Sequence, residues 1–375
     1  MKTDHNVLLS VIVPAHQAEH LLPITLGALV ANDFPRERWE LIVVDDGSQD
    51  DSAIVAGRYA DTVIRLPGRP HGPAYARNRG VEVARGEFVL FFDSDVRVRP
   101  DTLRRFADAL TEDPTVGAIF GSYDTEPTAP GLVSQYRNLL HHFVHQSNAG
   151  DVQTFWAGCG GVRRSVLELA GLYDEWHFAR PQIEDIELGQ RIRALGHRIL
   201  LRPEIQVTHL KTWTLASLVR TDIRDRGIPW ARLLAHRGAL VASGGLNLRW
   251  TEKANTVFVW LMLVGVLVAA WQRSPRLLAG SLLLIVPVVL INLPLLAFFA
   301  RTRGVLFALG VIPLHLQYYL LNGISAVVGV LLHETIGAPT PDPTTDAFAE
   351  VGLQKWPPVP SKERPSSWGN SSKSD

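Results

Sequence analysis

One cysteine, Cys159, stands in 375 residues. A lone thiol excludes an intramolecular disulfide and a cysteine-built zinc site, which fits a reducing compartment. An excess of charge is missing too: 37 Lys and Arg face 37 Asp and Glu, a formal net charge of +0. Without a basic surplus there is no electrostatic footprint for nucleic acid, and no nucleic-acid partner is expected. No Gly-x-Gly-x-x-Gly follows the first apolar run and no Gly-x4-Gly-Lys-Ser/Thr occurs, so dinucleotide and P-loop sites lose their main support. Met1 to Asn6 are polar, and the apolar run behind them is short and broken by Pro14. No secretory signal is visible, so the N-terminal part is expected on the cytoplasmic side.

Apolar residues, by contrast, are plentiful. They make up 46% of the chain and give a slightly positive mean hydropathy, more than an ordinary soluble core needs at a length that fits two or three structural units. In the first half they come in short β-favouring runs. Leu8 to Val13, Leu41 to Val44 and Val63 to Leu66 read as strands, with helical spacing between them at Leu21, Leu22, Leu26, Leu29 and Val30 and again from Asp51 to Tyr59. Alternation of strand and helix predicts an α/β unit with a sheet. Two of its strands end in acids: Asp45-Asp46 before Gly47-Ser48, and Asp93-Ser94-Asp95 after Phe88 to Phe92.

In open α/β sheets the carboxyl ends of strands face the ligand crevice. Two carboxylates there suit a hard divalent cation, which in turn can hold diphosphate oxygens. Asp-x-Asp is common, and the bland alternative is a solvated turn ahead of Pro100. Between the two acid tips, Gly72 to Gly80 starts a helix carrying Arg77 and Arg79, which could meet phosphates, meet the strand-tip acids, or lie exposed.

The motifs Val-Ile-Val-Pro-Ala at 11–15, Val-Asp-Asp-Gly-Ser at 44–48, Ala-Arg-Asn-x-Gly at 76–80 and Phe-x-Asp-Ser-Asp at 91–95 together resemble a family 2 glycosyltransferase with the GT-A fold, over roughly the first 210 residues. The resemblance implies a nucleotide-sugar donor. It implies that Pro14, Ala15, Glu19, Asp45 and Asp46 border base and ribose, that Arg77 steadies the nucleotide end, and that Asp93, Ser94 and Asp95 meet ribose and metal. Either Mg2+ or Mn2+ fits such an oxygen-rich site.

Further along, Ser134 to Gln146 has helical spacing with His141, His142 and His145 interleaved. No carboxylate completes a His-Glu-x-x-His pattern, so a partly buried helix near a membrane surface is expected rather than a metal site. Phe155 to Gly161 is dense in glycine. It forms either a tight loop or a close backbone approach to a ligand, and the resemblance places Gly158 and Gly160 at the sugar pocket. Glu184-Asp185 opens a short amphipathic helix, where the helix dipole alone would account for acids. A carboxylate facing a metal-activated diphosphate can also accept the proton of an attacking hydroxyl. The resemblance puts that role on Asp185, with Glu184 beside it and inversion at the anomeric carbon. A late strand, Ile199 to Val207, ends in Thr208-His209, and the resemblance makes His209 a third metal ligand beside Asp93 and Asp95.

The second half changes character. Lys211 to Gly238 mixes Trp213 and Trp230 with five arginines, a composition suited to a membrane interface. Three apolar segments follow: Thr256 to Gln272, Leu277 to Ala300 and Gly304 to Leu332. A bilayer needs about 20 apolar residues in a helix, so the first is marginal, the second fits well and the third spans with tilt. Arg273 and Arg276 in one loop balance Arg301 and Arg303 in the other, so positive-inside counting gives no orientation. With three spans the tail emerges on the far side; with two it does not. From about Gly337 the composition turns to Pro, Ser, Thr and charge, as in a flexible tail.

The sequence therefore predicts an α/β, GT-A-type unit over 1–210 with a mostly parallel sheet, amphipathic interface helices over 211–250, two or three transmembrane helices over 251–335 and a polar tail over 336–375. The expected activity is transfer of one sugar from a nucleotide-diphosphate sugar to a lipid-linked or amphipathic acceptor. The expected place is the cytoplasmic face of the inner membrane, in a multi-pass protein. A processive polysaccharide synthase is the rival within the resemblance, but its Gln-x-x-Arg-Trp signature is missing: Arg249-Trp250 is preceded by Leu246 where Gln would stand. A nucleotide-sugar-binding scaffold without turnover is the rival of another class.

Overall fold

The computed structural model describes residues 7–238 and 249–339. Most of the expected tail, 340–375, and residues 239–248 of the expected interface helices lie outside them. Nine strands form one sheet among the described residues: β1 (Leu9–Ala15), β2 (Trp39–Asp46), β3 (Thr62–Leu66), β4 (Phe88–Phe92), β5 (Val96–Val98), β6 (Val116–Tyr123), β7 (Gly150–Val152), β8 (Cys159–Arg163) and β9 (Arg198–His209). Their order is β3-β2-β1-β4-β8-β6-β9-β5, with β7 on β9. The sheet is mixed rather than mostly parallel. β3, β2, β1 and β4 run parallel, whereas β8 enters antiparallel between β4 and β6.

The helices of the sheet unit are α1 (Leu22–Val30), α2 (Ser52–Ala56), α3 (Pro73–Val83), α4 (Thr102–Glu112), α5 (Leu132–Gln146), α6 (Arg164–Ala170) and α7 (Glu184–Ala194). They cover both faces, so β1, β2 and β4 are buried along their whole length. That is why these strands read as continuous apolar runs rather than alternations. One apolar core, including Leu26, Leu90 and Phe106, lies on one side of the sheet, and a second, including Phe91, Phe120 and Ile192, on the other.

After β9 the chain forms α8 (Leu215–Arg220), a π-helical stretch over Thr221–Gly227 and α9 (Ile228–His236). Then come α10 (Trp250–Trp271), α11 (Pro275–Leu282), α12 (Ile285–Ile291), α13 (Leu293–Arg303), α14 (Val305–Gly310) and α15 (Ile312–Ile336). By length and composition two stretches can cross a membrane: α10, of 22 residues, and Val305–Ile336, of 32. The first is longer than its apolar run because Glu252, Lys253 and Asn255 continue the helix, with Asn255 buried against Tyr319.

The segment that fitted a single span best is bent by 69° between Ile291 and Leu293 and makes a third span if the bent pair is taken as one. A proline ring clashes with the carbonyl four residues before it, and Pro294 places that clash at Leu290. The break is lined with polar groups: the Asn292 amide donates to the Val288 carbonyl, and its Oδ1 accepts from the Tyr319 hydroxyl and meets Nε2 of His315. Large apolar side chains lie exposed along these helices, among them Leu261, Leu267, Leu283 and Leu306. An apolar surface of that kind calls for a non-aqueous cover.

Candidate active site

The β4 tip is tied on three sides. The Asp93 amide donates to the Gly158 carbonyl, the Thr25 hydroxyl to the Ser94 carbonyl, and the Leu210 amide to the Asp95 carbonyl. The turn is thus fixed by the loop before β8, by α1 and by the end of β9. Above it, Arg77 of α3 is buried and forks: Nη2 reaches Asp93 Oδ1 at 2.9 Å and Nη1 reaches Glu184 Oε1 at 3.0 Å. Burial opposes the Arg77 charge, but Asp93 and its companions Glu184 and Asp185 outweigh that and hold the guanidinium protonated. Arg77 therefore links the β4 tip to the head of α7.

At that head the two acids differ. Glu184 is buried and spends its carboxylate on Arg77 and on the Gln182 amide at 2.9 Å. Asp185 is half-buried and accepts one amide on each oxygen, Ile186 at 2.8 Å and Ala157 at 3.2 Å, which leaves lone pairs free. Burial, then the charge of Glu184, pushes the Asp185 carboxyl up to about 7 against the pull of Arg77, the Ala157 amide and Arg226. Such a group is divided between base and acid at neutral pH, which is what proton acceptance from a hydroxyl requires.

Asp93 and Asp95 also part company. Asp93 is shifted upward, by burial above all and by Asp95, despite Arg77. Asp95 is also burdened by burial, yet His209 and Lys211 bring it below the usual carboxylate range. Its Oδ2 stands 3.4 Å from His209 Nε2. His209 is held in turn by Asn138, 2.6 Å from Nδ1, and by the Tyr123 ring stacked on it at 4.2 Å. Among the described residues no three His, Cys, Asp or Glu side chains gather to enclose a metal alone. The expected trio of Asp93, Asp95 and His209 is not gathered as one cluster: Asp93 pairs with Arg77 at 2.9 Å, while Asp95 Oδ2 and His209 Nε2 stand 3.4 Å apart and could act as two donors. A carboxylate and an imidazole would leave the remaining positions of a divalent ion to water and substrate phosphates.

The matching family model is that of glycosyl transferase family 2, over residues 10–170. The match covers less than half of the chain. Among curated relatives, a probable glycosyltransferase of Bacillus subtilis, YdaM, is 26% identical over 207 residues, 52% of this chain and 48% of the relative. The Escherichia coli UDP-Glc:alpha-D-GlcNAc-diphosphoundecaprenol beta-1,3-glucosyltransferase WfgD is 33% identical over 90 residues, 24% of this chain and 35% of the relative. The chain thus spans half or less of the length of these relatives. Among solved structures, the mannosyltransferase PcManGT of Pyrobaculum calidifontis, in complex with GDP-Man and Mn2+, superposes with a TM-score of 0.51 at 18% identity, over 88% of this chain and 87% of that one. The fold is GT-A.

Within this glycosyltransferase domain the other sequence-predicted residues fall into place unevenly. Pro14 and Ala15 end β1 beside Asp45, which takes the Ser48 amide and faces Arg65 at 3.7 Å. Asp46 accepts the amides of His71 and Gly72 at 2.8 and 2.7 Å, so its carboxylate is spent on the turn into α3. Glu19 caps the start of α2 through the Asp51 amide. Gly158 and Gly160 make room for the neighbouring Trp156 and Phe155, since a Cβ at either would strike them. Of the three histidines, His141 stacks on Tyr123, His142 meets the Tyr123 carbonyl, and His145 lies against Trp156, where burial drives it down to about 3.

The sequence reading missed Tyr123, Asn138 and Arg226. Tyr123 ends a strand in Tyr-Asp, a signal of the same kind as the other two tips. Arg226 had been counted with the interfacial arginines, yet its charge reaches Asp185 and its Nη1 stands 3.4 Å from His141.

Proposed function

We propose that the protein is an inverting, metal-dependent glycosyltransferase that moves one sugar from a nucleotide-diphosphate donor to a lipid-linked or amphipathic acceptor. The observation that carries this is Asp185, raised to about 7 and joined through Glu184 and Arg77 to the β4 tip. An acceptor hydroxyl attacks the anomeric carbon and passes its proton to Asp185. The bond from that carbon to the diphosphate oxygen breaks, and its electron pair leaves with the nucleoside diphosphate. Attack from the face opposite the leaving group inverts the centre. Asp95 and His209 would hold a divalent ion such as Mn2+ or Mg2+, which would supply positive charge near the departing diphosphate. Glu184 and Arg77 hold Asp185 and Asp93 in register.

Support for the acceptor comes from outside the sheet unit. The apolar helices α10 and α14–α15 lie next in the chain, and the relative WfgD bears a name that specifies a diphosphoundecaprenol acceptor. A cytosolic nucleotide sugar places the domain on the cytoplasmic face of the inner membrane, with the helices as a multi-pass anchor.

The test is transfer by the purified full chain, with a panel of nucleotide sugars, lipid extracts and soluble acceptors, with and without Mn2+. Asp185→Asn is expected to lower transfer about 100- to 10,000-fold, the range of general-base contributions. Nucleotide-sugar stabilisation of the folded protein in thermal melts should persist. Undiminished transfer by that variant, or indifference to every lipid acceptor, overturns the respective half of the proposal.

A further inference from the structure

Three consecutive residues of α5 reach three different parts of the molecule. The Tyr136 hydroxyl meets Nδ1 of His315 on α15 at 2.9 Å. Arg137 forms a buried ion pair with Asp222 of the π-helical stretch at 2.6 Å. Asn138 meets Nδ1 of His209 at 2.6 Å. The helix is packed besides against Trp213, Leu295 and Phe299. Its orientation at the middle of the triplet is therefore set by neighbours on both sides, and Asn138 is buried, at 1% exposure.

We infer that Asn138 is a positioning residue that fixes His209 as an Nε2 donor toward a divalent cation beside Asp95. This rests on the metal reading above. A neutral imidazole carries its proton on one nitrogen only, and the partner of the other nitrogen decides which. The Asn138 oxygen only accepts, so it places the proton on Nδ1 and leaves the Nε2 lone pair facing Asp95 Oδ2 across 3.4 Å. A divalent cation between these two atoms would be met by both. Tyr123 stacked on the ring at 9° between planes stops the imidazole from turning out of this line. The Asn138 Nδ2 atom, buried with no hydrogen-bond partner, is consistent with a side chain kept for its oxygen alone. Hydrogen bonds of this outer kind orient the ligand and raise its basicity, and losing one typically weakens metal affinity about 10- to 100-fold.

The experiment is a Mn2+ titration of the full chain in detergent, reading free aqueous Mn2+ by electron paramagnetic resonance. Asn138→Ala is expected to weaken Mn2+ binding about 10- to 100-fold. Asn138→Asp, which can only accept, is expected to bind Mn2+ at least as well as the natural protein, a rescue that a general packing role would not produce. Should the alanine variant fail to fold, Asn138→Leu fills the space without an acceptor and supplies the same comparison. Equal Mn2+ affinity in Asn138→Ala, or equal loss in Ala and Asp variants, overturns the inference while His209→Ala still weakens binding. If His209→Ala and Asp95→Asn leave Mn2+ affinity unchanged, the metal reading itself fails and takes this inference with it.

Discussion

The tips of β2 and β4 carry near-identical acid pairs, and the protein uses them in opposite ways. At β2 the Asp46 carboxylate is 6% exposed and closed off by the amides of His71 and Gly72. At β4 the carboxylates of Asp93 and Asp95 are 36% and 22% exposed, and each meets a single side chain, Arg77 or His209. An acid whose lone pairs are saturated by backbone holds a turn. An acid whose partner is one distant side chain still has oxygens to offer a ligand. Residue type is shared, but Asp45 and Asp46 close β2 itself while Asp93 and Asp95 lie in the turn beyond β4, and the following loops bring different groups within hydrogen-bond reach.

The sharpest way to break this contrast is through Arg77, the cation that joins the β4 tip to α7. Arg77→Met leaves Glu184 buried without its partner, and removing one side of a buried pair costs about 3–5 kcal/mol. Denaturant unfolding reads that loss, and the double variant Arg77→Met, Glu184→Gln should recover a large part of it. A loss no greater than that from the exposed pair of Arg104 and Asp33 would mean that the fork does not organise the site.

A smaller effect separates the two tips directly. Asp46→Ala orphans the buried amides of His71 and Gly72, at about 1–3 kcal/mol for an unsatisfied group. Asp95→Ala orphans no amide of another residue and its carboxylate is partly exposed, so it should cost Mn2+ response more than stability. If both variants unfold alike, the tips are equivalent and the contrast is lost.

How much of this was legible depended on whether a signal was local. The β2 and β4 tips were legible because an unbroken apolar run ended in acids within a few residues. β8 was not, since Cys159, Gly160 and Gly161 offer no β-branched side chains. Gly161 is small because Leu90, Phe106 and Leu110 pack where its Cβ would stand. β6 was hidden for a like reason: Gly117 and Gly121 interrupt its apolar pattern, and a Cβ at Gly121 would strike the Ile205 carbonyl. Asn138 had no signal at all, because its partner His209 lies 71 residues away. Arg226 sits in a π-helical stretch whose period differs from the 3.6 residues that sequence inspection looks for. The bend at Asn292 was visible as a proline, but the polar side chains that accommodate it come from α15.

An effect that depends on pH carries the comparison to the acid that neither tip holds. Asp185 rises from 3.8 to about 7 on folding, so between those values the folded chain binds more protons than the unfolded one. Stability tied to this group is present below about pH 4 and is lost as pH climbs toward 7, beyond which the cost is constant. Asp185→Asn removes that cost. The variant should therefore match the natural protein in unfolding midpoint at pH 4 and exceed it at pH 8, by on the order of a few kcal/mol at most given 1.4 kcal/mol per unit and the solvent still reaching the group. The same titration governs the chemistry, because only the ionised form accepts a proton, so kcat/KM of the natural protein should rise through about pH 7. Midpoints measured at the two pH values check the sign. An Asn variant that is less stable at pH 8 would show Asp185 to be a structural cap of α7, like Asp46 at its turn, and not a strained base.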